Sequence, residues 1–306
     1  MATTVKERSV PLPEKERVPS KRRAADYRSQ TRPTWCPGCG DFGILAALQR
    51  ALAQLNKDPK EVVLVSGIGC SGRLPKFFKA YGLHGVHGRT LPTAMGVKLA
   101  NPALTVIAIG GDGDGFAIGG GHVPHAVRRN VDITYIVMDN QVYSLTKGQP
   151  SPTTPAGMSA VQFSPSMLKM APHTGILEAP LNLMAMVLVY GATFAARGFA
   201  GNPNHLADLF IQALNHRGFS FIQALSPCPT FYNTQDLWKE TVIPLLDHDP
   251  TDRLEALRIA LTEDRFHIGL FYREERPSYN EALQAVVDRV KMDREAALEK
   301  VMAAYM

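Results

Sequence analysis

The sequence predicts an α/β protein built on an open, mostly parallel sheet with flanking helices. Short β-branched runs alternate with longer amphipathic ones, the pattern of βαβ units. Several of the short runs pass straight into glycine-rich or acidic loops. With 45% apolar residues in 306, the chain can bury a core of one large or two modest domains.

The elements follow in order. A helix is expected at 41–55, with Asp41 as its cap and Ile44, Leu45, Leu48, Leu52 and Leu55 on one face. A strand at 61–66 ends in Gly67-Ile68-Gly69-Cys70-Ser71-Gly72. Another at 104–109 enters Gly110-Gly111-Asp112-Gly113-Asp114-Gly115, and a helix is expected over 118–129. A third strand at 133–138 stops at Asp139-Asn140. Beyond it lie a helix near Leu181, a strand at 192–196, a helix at 205–216, and a strand at 220–225 that delivers Ser226-Pro227-Cys228-Pro229. A charged helix at 280–305 closes the chain. The chemically useful residues therefore collect beyond the carboxyl ends of strands, where open α/β sheets bind ligands. The organisation expected is a basic arm at 1–33, a ligand-binding domain at 34–246, and an extension at 247–306 that packs on the core or on a partner subunit.

The net charge of +5 and pI near 9.0 do not imply nucleic-acid binding. The first 33 residues hold nine Lys/Arg and four acids, which accounts for the whole excess. That proline-containing arm reads as a solvated tail or a strap along a partner. No signal-like apolar segment opens the chain, and the apolar run 181–190 is far shorter than the roughly 20 residues of a membrane span. A cytoplasmic protein is expected, with no membrane association, and in that compartment structural disulfides are rare.

The four cysteines, Cys36, Cys39, Cys70 and Cys228, thus need another explanation. Trp35-Cys36-Pro37-Gly38-Cys39-Gly40 places two thiols in a tight turn, and the other two sit at turns after strands. Thiolates select zinc or iron–sulfur, and spacing alone leaves a structural zinc, an iron–sulfur cluster or a simple redox pair open. Gly111-Asp112-Gly113 at a strand end suits a diphosphate with a divalent cation, because glycine admits the ligand to the backbone and the carboxylate is a hard oxygen donor. Asn140 lies 28 residues after Asp112 at the tip of the next strand, where both can meet one ion together with a backbone carbonyl.

Gly-Asp-Gly followed at this distance by Asn resembles the thiamine diphosphate motif. With WCPGCG (35–40), GIGCSGR (67–73), HGRTLPTAMGVKLANP (87–102), GDGDGFAIGGGH (111–122), MDNQVYSLTKGQPSPT (138–153) and SPCPT (226–230), the chain closely resembles the beta subunit of 2-oxoacid:ferredoxin oxidoreductases. The likeness spans about residues 30–275. It implies a thiamine diphosphate-binding fold. It implies a four-iron, four-sulfur cluster on Cys36, Cys39, Cys70 and Cys228, and Mg2+ held by Asp112, Asn140 and the Val142 carbonyl. Cofactor contacts are implied for Ile68, Gly69, Cys70, Ser71, His87, Gly113, Asp114, Ser144 and Leu145. His84, His122 and His125 are read as structural, and Tyr143 as packing.

The implied reaction is reversible oxidative decarboxylation of a 2-oxoacid with coenzyme A, the electrons leaving through the cluster to ferredoxin. An alpha subunit is implied as partner, since no second domain is present to supply the activating glutamate. The stretch Ser144-Leu145-Thr146-Lys147-Gly148-Gln149 resembles members that use 2-oxoglutarate or several 2-oxoacids, against a pyruvate-specific alternative. Lys147 and Leu145 are the expected substrate or coenzyme A contacts. A buried Lys147 paired with a distal carboxylate would contribute about 2–4 kcal/mol. The rival from another class is a non-catalytic, zinc-stabilised subunit.

Overall fold

The computed structural model describes residues 22–158, 176–262, 264–289 and 294–305. In chain order its elements are α1 (Asp41–Gln54), β1 (Val62–Ser66), β2 (Tyr81–His84), α2 (Thr90–Ala100), β3 (Thr105–Gly111), α3 (Val123–Arg129), β4 (Ile133–Asp139), β5 (Val142–Tyr143), β6 (Gln149–Pro150) and α4 (Leu183–Val189). Then come β7 (Phe194–Phe199), α5 (Pro203–Asn215), β8 (Phe219–Leu225), α6 (Gln235–Thr241), β9 (Ile243–Pro244), α7 (Arg253–Thr262), β10 (His267–Arg273), α8 (Tyr279–Arg289) and α9 (Arg294–Tyr305).

Eight strands form one sheet in the order β2-β1-β3-β4-β8-β7-β10-β9, and β5 pairs with β6 in a separate hairpin. All neighbours in the large sheet are parallel except β10 on β7. β1, β4, β7 and β8 are buried along their whole length, as strands covered on both faces must be. One face carries α1 and α5, with Ile44, Leu48, Leu52, Leu206 and Phe210 in a single cluster. The other carries Leu91, Val127, Leu188 and Ala256 from α2, α3, α4 and α7.

Several expected bounds change. Gly40, not Asp41, caps α1, and Asp41 is the first helical residue, buried against Ser226. The helix expected over 118–129 reaches only Val123–Arg129, because Gly119-Gly120-Gly121 holds the preceding turns in short irregular helices. The strand expected at 192–196 lies at Phe194–Phe199, and of the closing helix the described residues show α8 and α9. Residues 22–33 are no solvated tail. Tyr27 is fully buried and its hydroxyl donates to Leu52 O at 2.9 Å, while Arg22 pairs with Asp58 at 2.8 Å. Residues 1–21 of the expected arm lie outside the described residues. Within 247–306, β10 is a member of the main sheet. No helix among the described residues is long and apolar enough to cross a membrane.

A buried polar node ties α8 to the core. Asn130 donates through Nδ2 to Arg276 O and Pro277 O and accepts through Oδ1 from Thr193 Oγ1 and Phe219 N. Because the Thr193 proton is directed to Asn130 at 2.7 Å, the His216 Nε2 contact at 2.8 Å is one in which the imidazole donates. His216 Nδ1 is then a bare, buried nitrogen with no partner. Burial lowers the His216 pKa, so the unfolded chain takes up its proton first as pH falls. The stability that the neutral ring contributes is present above the ordinary histidine value and is lost as pH falls below it. The melting temperature is therefore expected to drop between pH 7 and pH 5, and to drop less in His216→Gln.

Candidate functional site

Gly111 of β3 is in register with Met138 of β4, so Asp112 emerges beside Asp139 and Asn140 where the two strands stop. Asp112 and Asp139 are both buried. Burial raises both carboxyl pKa values, and the Asp139 charge raises that of Asp112 further. Thr153 stands between them, its Oγ1 2.7 Å from Asp112 Oδ2 and 3.0 Å from Asp139 Oδ1. A hydroxyl has one proton to donate, so it serves one of the two carboxylates at a time. Gln223 Nε2 donates to Asp139 Oδ2 at 2.7 Å, and Gln223 Oε1 accepts from Arg197 Nε at 2.8 Å. Arg197 is itself buried, with its guanidinium over the Phe266 and Phe271 rings.

Asn140 follows directly. Its Oδ1 accepts from Val142 N at 3.1 Å and its Nδ2 donates to Ser144 Oγ at 3.0 Å, which folds the start of β5 back over the strand ends. Tyr143 closes this turn on the Gly111-Asp112-Gly113 loop, donating to Gly113 O at 3.2 Å. A Cβ on Gly113 would lie 2.2 Å from the Tyr143 ring, so only glycine fits there. Two adjacent buried acids, served by hydroxyls, an amide and backbone N–H groups, make a donor set that fits a hard divalent cation.

Asp114 organises the neighbouring loops. Its Oδ1 accepts from Ile68 N at 2.9 Å, Gly88 N at 2.8 Å and His87 Nδ1 at 2.7 Å, and its Oδ2 from Thr90 Oγ1 at 3.1 Å. One side chain thus ties the turn after β1 and the entry to α2 to the loop after β3.

The cysteines come from three segments stitched together. Cys39 N donates to Cys36 O at 3.1 Å to close the first turn, and Gly40 N donates to Pro227 O at 3.0 Å to join it to the loop carrying Cys228. The Trp35 indole donates to Cys70 O at 2.8 Å, its ring packed edge-on against Phe42 and Phe77. Cys228 is buried and shares a small apolar cluster with Val142, which sets this cysteine beside the Asn140 turn. Burial pushes the Cys70 thiol up to about 12, with contributions from Asp41 and Cys228, and raises Cys39 as well. Asp41 is pushed up to about 6 by its burial.

Among the described residues no three His, Cys, Asp or Glu side chains close on a point tightly enough for a single ion. Four thiols on three adjoining segments are the soft donors that zinc or an iron–sulfur group takes.

Residues 67–224 match the C-terminal TPP-binding domain of thiamine pyrophosphate enzymes, and residues 228–288 match the C-terminal region of the pyruvate ferredoxin oxidoreductase beta subunit. The chain is 44% identical over 273 residues to a 2-oxoacid:ferredoxin oxidoreductase subunit beta of Saccharolobus solfataricus, covering 83% of this chain and 86% of the relative. This chain belongs to the 2-oxoacid:ferredoxin oxidoreductase beta-subunit family. It is 35% identical over 275 residues to the 2-oxoglutarate synthase subunit KorB of Methanothermobacter marburgensis, covering 89% of this chain and 92% of the relative. A solved 2-oxoglutarate:ferredoxin oxidoreductase from Magnetococcus marinus, with 2-oxoglutarate, coenzyme A and succinyl-CoA bound, superposes with a TM-score of 0.85 at 40% identity, covering 91% of this chain and 96% of that one. The chain is thus one subunit, the beta subunit, of an oxidoreductase.

In this beta subunit the expected cofactor contacts divide into two groups. Ile68, Gly69, Cys70, Ser71, Gly113 and Ser144 lie in the loops at the carboxyl edge of β1, β3 and β4. Gly69 adopts a φ of 113°, a conformation that glycine accepts without strain. The Asp114 carboxylate accepts from four internal donors, three on Oδ1 and one on Oδ2. His87 is held by that carboxylate at 2.7 Å. Leu145 and Lys147 are exposed, so a charge pair at Lys147 cannot rest on burial within this chain. Thr153, Asp139, Gln223 and Arg197 were missed, as was the hydrogen bond by which Tyr143 closes the site. The one signal available was the second acid, Asp139, directly before Asn140.

Proposed function

We propose that this beta subunit, with its alpha partner, catalyses the reversible, coenzyme A-dependent oxidative decarboxylation of a 2-oxoacid, with 2-oxoglutarate favoured. A 2-oxoacid, coenzyme A and two oxidised ferredoxins give an acyl-CoA, carbon dioxide, a proton and two reduced ferredoxins. The observation that carries the reading is the meeting, at one sheet edge, of the Asp112/Asn140 turn with the cysteine segments, through Val142 and Cys228. When bound, thiamine diphosphate supplies the electron sink and the iron–sulfur cluster takes electrons singly.

Asp112, Asn140 and the Val142 carbonyl would hold Mg2+ on the diphosphate. Cys36, Cys39, Cys70 and Cys228 would hold a 4Fe-4S cluster. Cys70 would serve both, its thiolate as a cluster ligand and its backbone as a contact of thiamine diphosphate. The alpha subunit would add the activating glutamate and part of the coenzyme A pocket. The name of the M. marinus enzyme and the 2-oxoglutarate synthase relatives favour 2-oxoglutarate. The S. solfataricus relative, named for 2-oxoacids generally, favours a broader range as the second reading.

The test is a ferredoxin-reduction assay of the purified αβ complex with 2-oxoglutarate and with pyruvate, for wild type and Lys147→Ala. An exposed pair at Lys147 contributes on the order of 1 kcal/mol, so kcat/KM for 2-oxoglutarate is expected to fall about fivefold. The value for pyruvate should stay within about twofold. Equal losses on both substrates would assign Lys147 to coenzyme A or to the turn. Absence of coenzyme A-dependent turnover, with zinc in place of iron and sulfide, would sink the enzymatic reading.

A further inference from the structure

We infer that Thr153 is a positioning residue of the ion site, fixing the Asp112 carboxylate through its hydroxyl. The inference rests on the proposed reading of Asp112 as an ion ligand. Thr153 comes from neither strand that carries the site: it follows the β5–β6 hairpin, 41 residues from Asp112. It is 3% exposed, so its 2.7 Å contact with Asp112 Oδ2 is made with little competition from water. A planar carboxylate held at one oxygen has lost the rotation that would swing its other oxygen away from an ion, and orientation of this kind is where positioning groups act.

The hydroxyl is itself held on both sides. Thr154 Oγ1 donates to Gln141 O at 2.6 Å and accepts from Ser151 N at 2.8 Å, clamping the backbone around Thr153 to the turn after β4. On its far side Thr153 meets Asp139 at 3.0 Å, Asp139 is fixed by Gln223 at 2.7 Å, and Gln223 by Arg197 at 2.8 Å. Asp139, Gln223 and Arg197 lie on β4, β8 and β7, neighbours in the sheet, and none is more than 3% exposed. A buried polar chain anchored on three strands holds the Thr153 side chain in place, and its one proton, given at the shorter of the two contacts, orients the Asp112 carboxylate.

The αβ complex, stripped of cofactor by chelation and dialysis, is titrated with thiamine diphosphate at several Mg2+ concentrations, and binding is followed by calorimetry. Thr153→Val is expected to raise the Mg2+ concentration for half-saturation about tenfold or more, with iron content unchanged. Thr153→Ser keeps the hydroxyl and should stay within about twofold of wild type. Asp112→Ala should show no Mg2+-dependent binding. If Thr153→Val binds as wild type does, or Thr153→Ser is as weak as Thr153→Val, the positioning role is overturned. If Asp112→Ala keeps wild-type Mg2+-dependent binding, the ion-site reading beneath it is overturned instead.

Discussion

Cys228→Ser, purified with its alpha partner, is expected to lose its iron and to reduce ferredoxin at background rate while still binding thiamine diphosphate. Loss of an outer-shell partner already costs a metal site about 10–100-fold in affinity, and loss of a thiolate ligand costs more. Cys228 is the most telling of the four because it is buried, in a bridge with Tyr232 and against Val142. A serine there has no water to replace the missing ligand, and its hydroxyl is a poor donor to iron. The diphosphate side should survive, since Asp112 and Asn140 are placed by β3 and β4 rather than by the Cys228 loop. Iron and acid-labile sulfide analysis reads the first effect, and calorimetry with thiamine diphosphate the second. Full iron content with normal turnover would remove Cys228 from the ligand set.

What could be read in advance follows from how local each signal is. The Asp112 and Asn140 positions are legible because each directly follows a β-branched run, and parallel neighbours bring equivalent ends together. The fold class rests on the same alternation. β2 carries no comparable signal: it is four residues long, with Gly82 within it and every residue exposed. β10 sits on the antiparallel side of the sheet and contains Gly269 at a φ of 149°. The buried chain behind Asp112 is invisible for another reason. Gln223 and Asp139 are 84 residues apart and Gln223 and Arg197 are 26 apart, each a polar residue in a mostly apolar strand. Only the strand order β4-β8-β7, which departs from chain order, makes them neighbours. The part that Asp114 plays in joining the loops is equally hidden, because its donors come from the turn after β1 and the entry to α2. The glycines of these loops are there in part to admit its carboxylate: a Cβ on Gly67 would lie 2.0 Å from Asp114 Oδ2.

Asp114 therefore carries the second large expected effect, and it separates a ligand from an organiser. Asp114→Ala is expected to destabilise the complex by about 3–5 kcal/mol, the range for removing one partner of a buried charged network. The reason is the donors left behind. Gly88 N and Ile68 N lose a charged acceptor, and the Thr90 hydroxyl and His87 Nδ1 lose theirs in the same step. A hydrogen bond to a charged group contributes about 1.5–3 kcal/mol, and four that share one carboxylate do not add independently. At about 2–4 °C per kcal/mol for a chain of this class, the melting temperature should fall by on the order of 10 °C.

Asp114→Asn is the sharper variant, because it keeps the volume and the space beside Gly67 while one acceptor oxygen becomes a donor facing other donors. It should cost nearly as much as alanine. Both variants should weaken thiamine diphosphate binding, since Ile68 and the Gly88 turn lose their common anchor, and iron content should fall less than in Cys228→Ser, since only the Cys70 turn among the cysteine segments bonds to Asp114, through Ile68 N. Thermal melting of the complex, calorimetry and iron analysis read the three effects separately. An Asp114→Asn complex that melts with wild type and binds thiamine diphosphate with unchanged affinity would show that the loops hold themselves, and that the carboxylate is incidental to them.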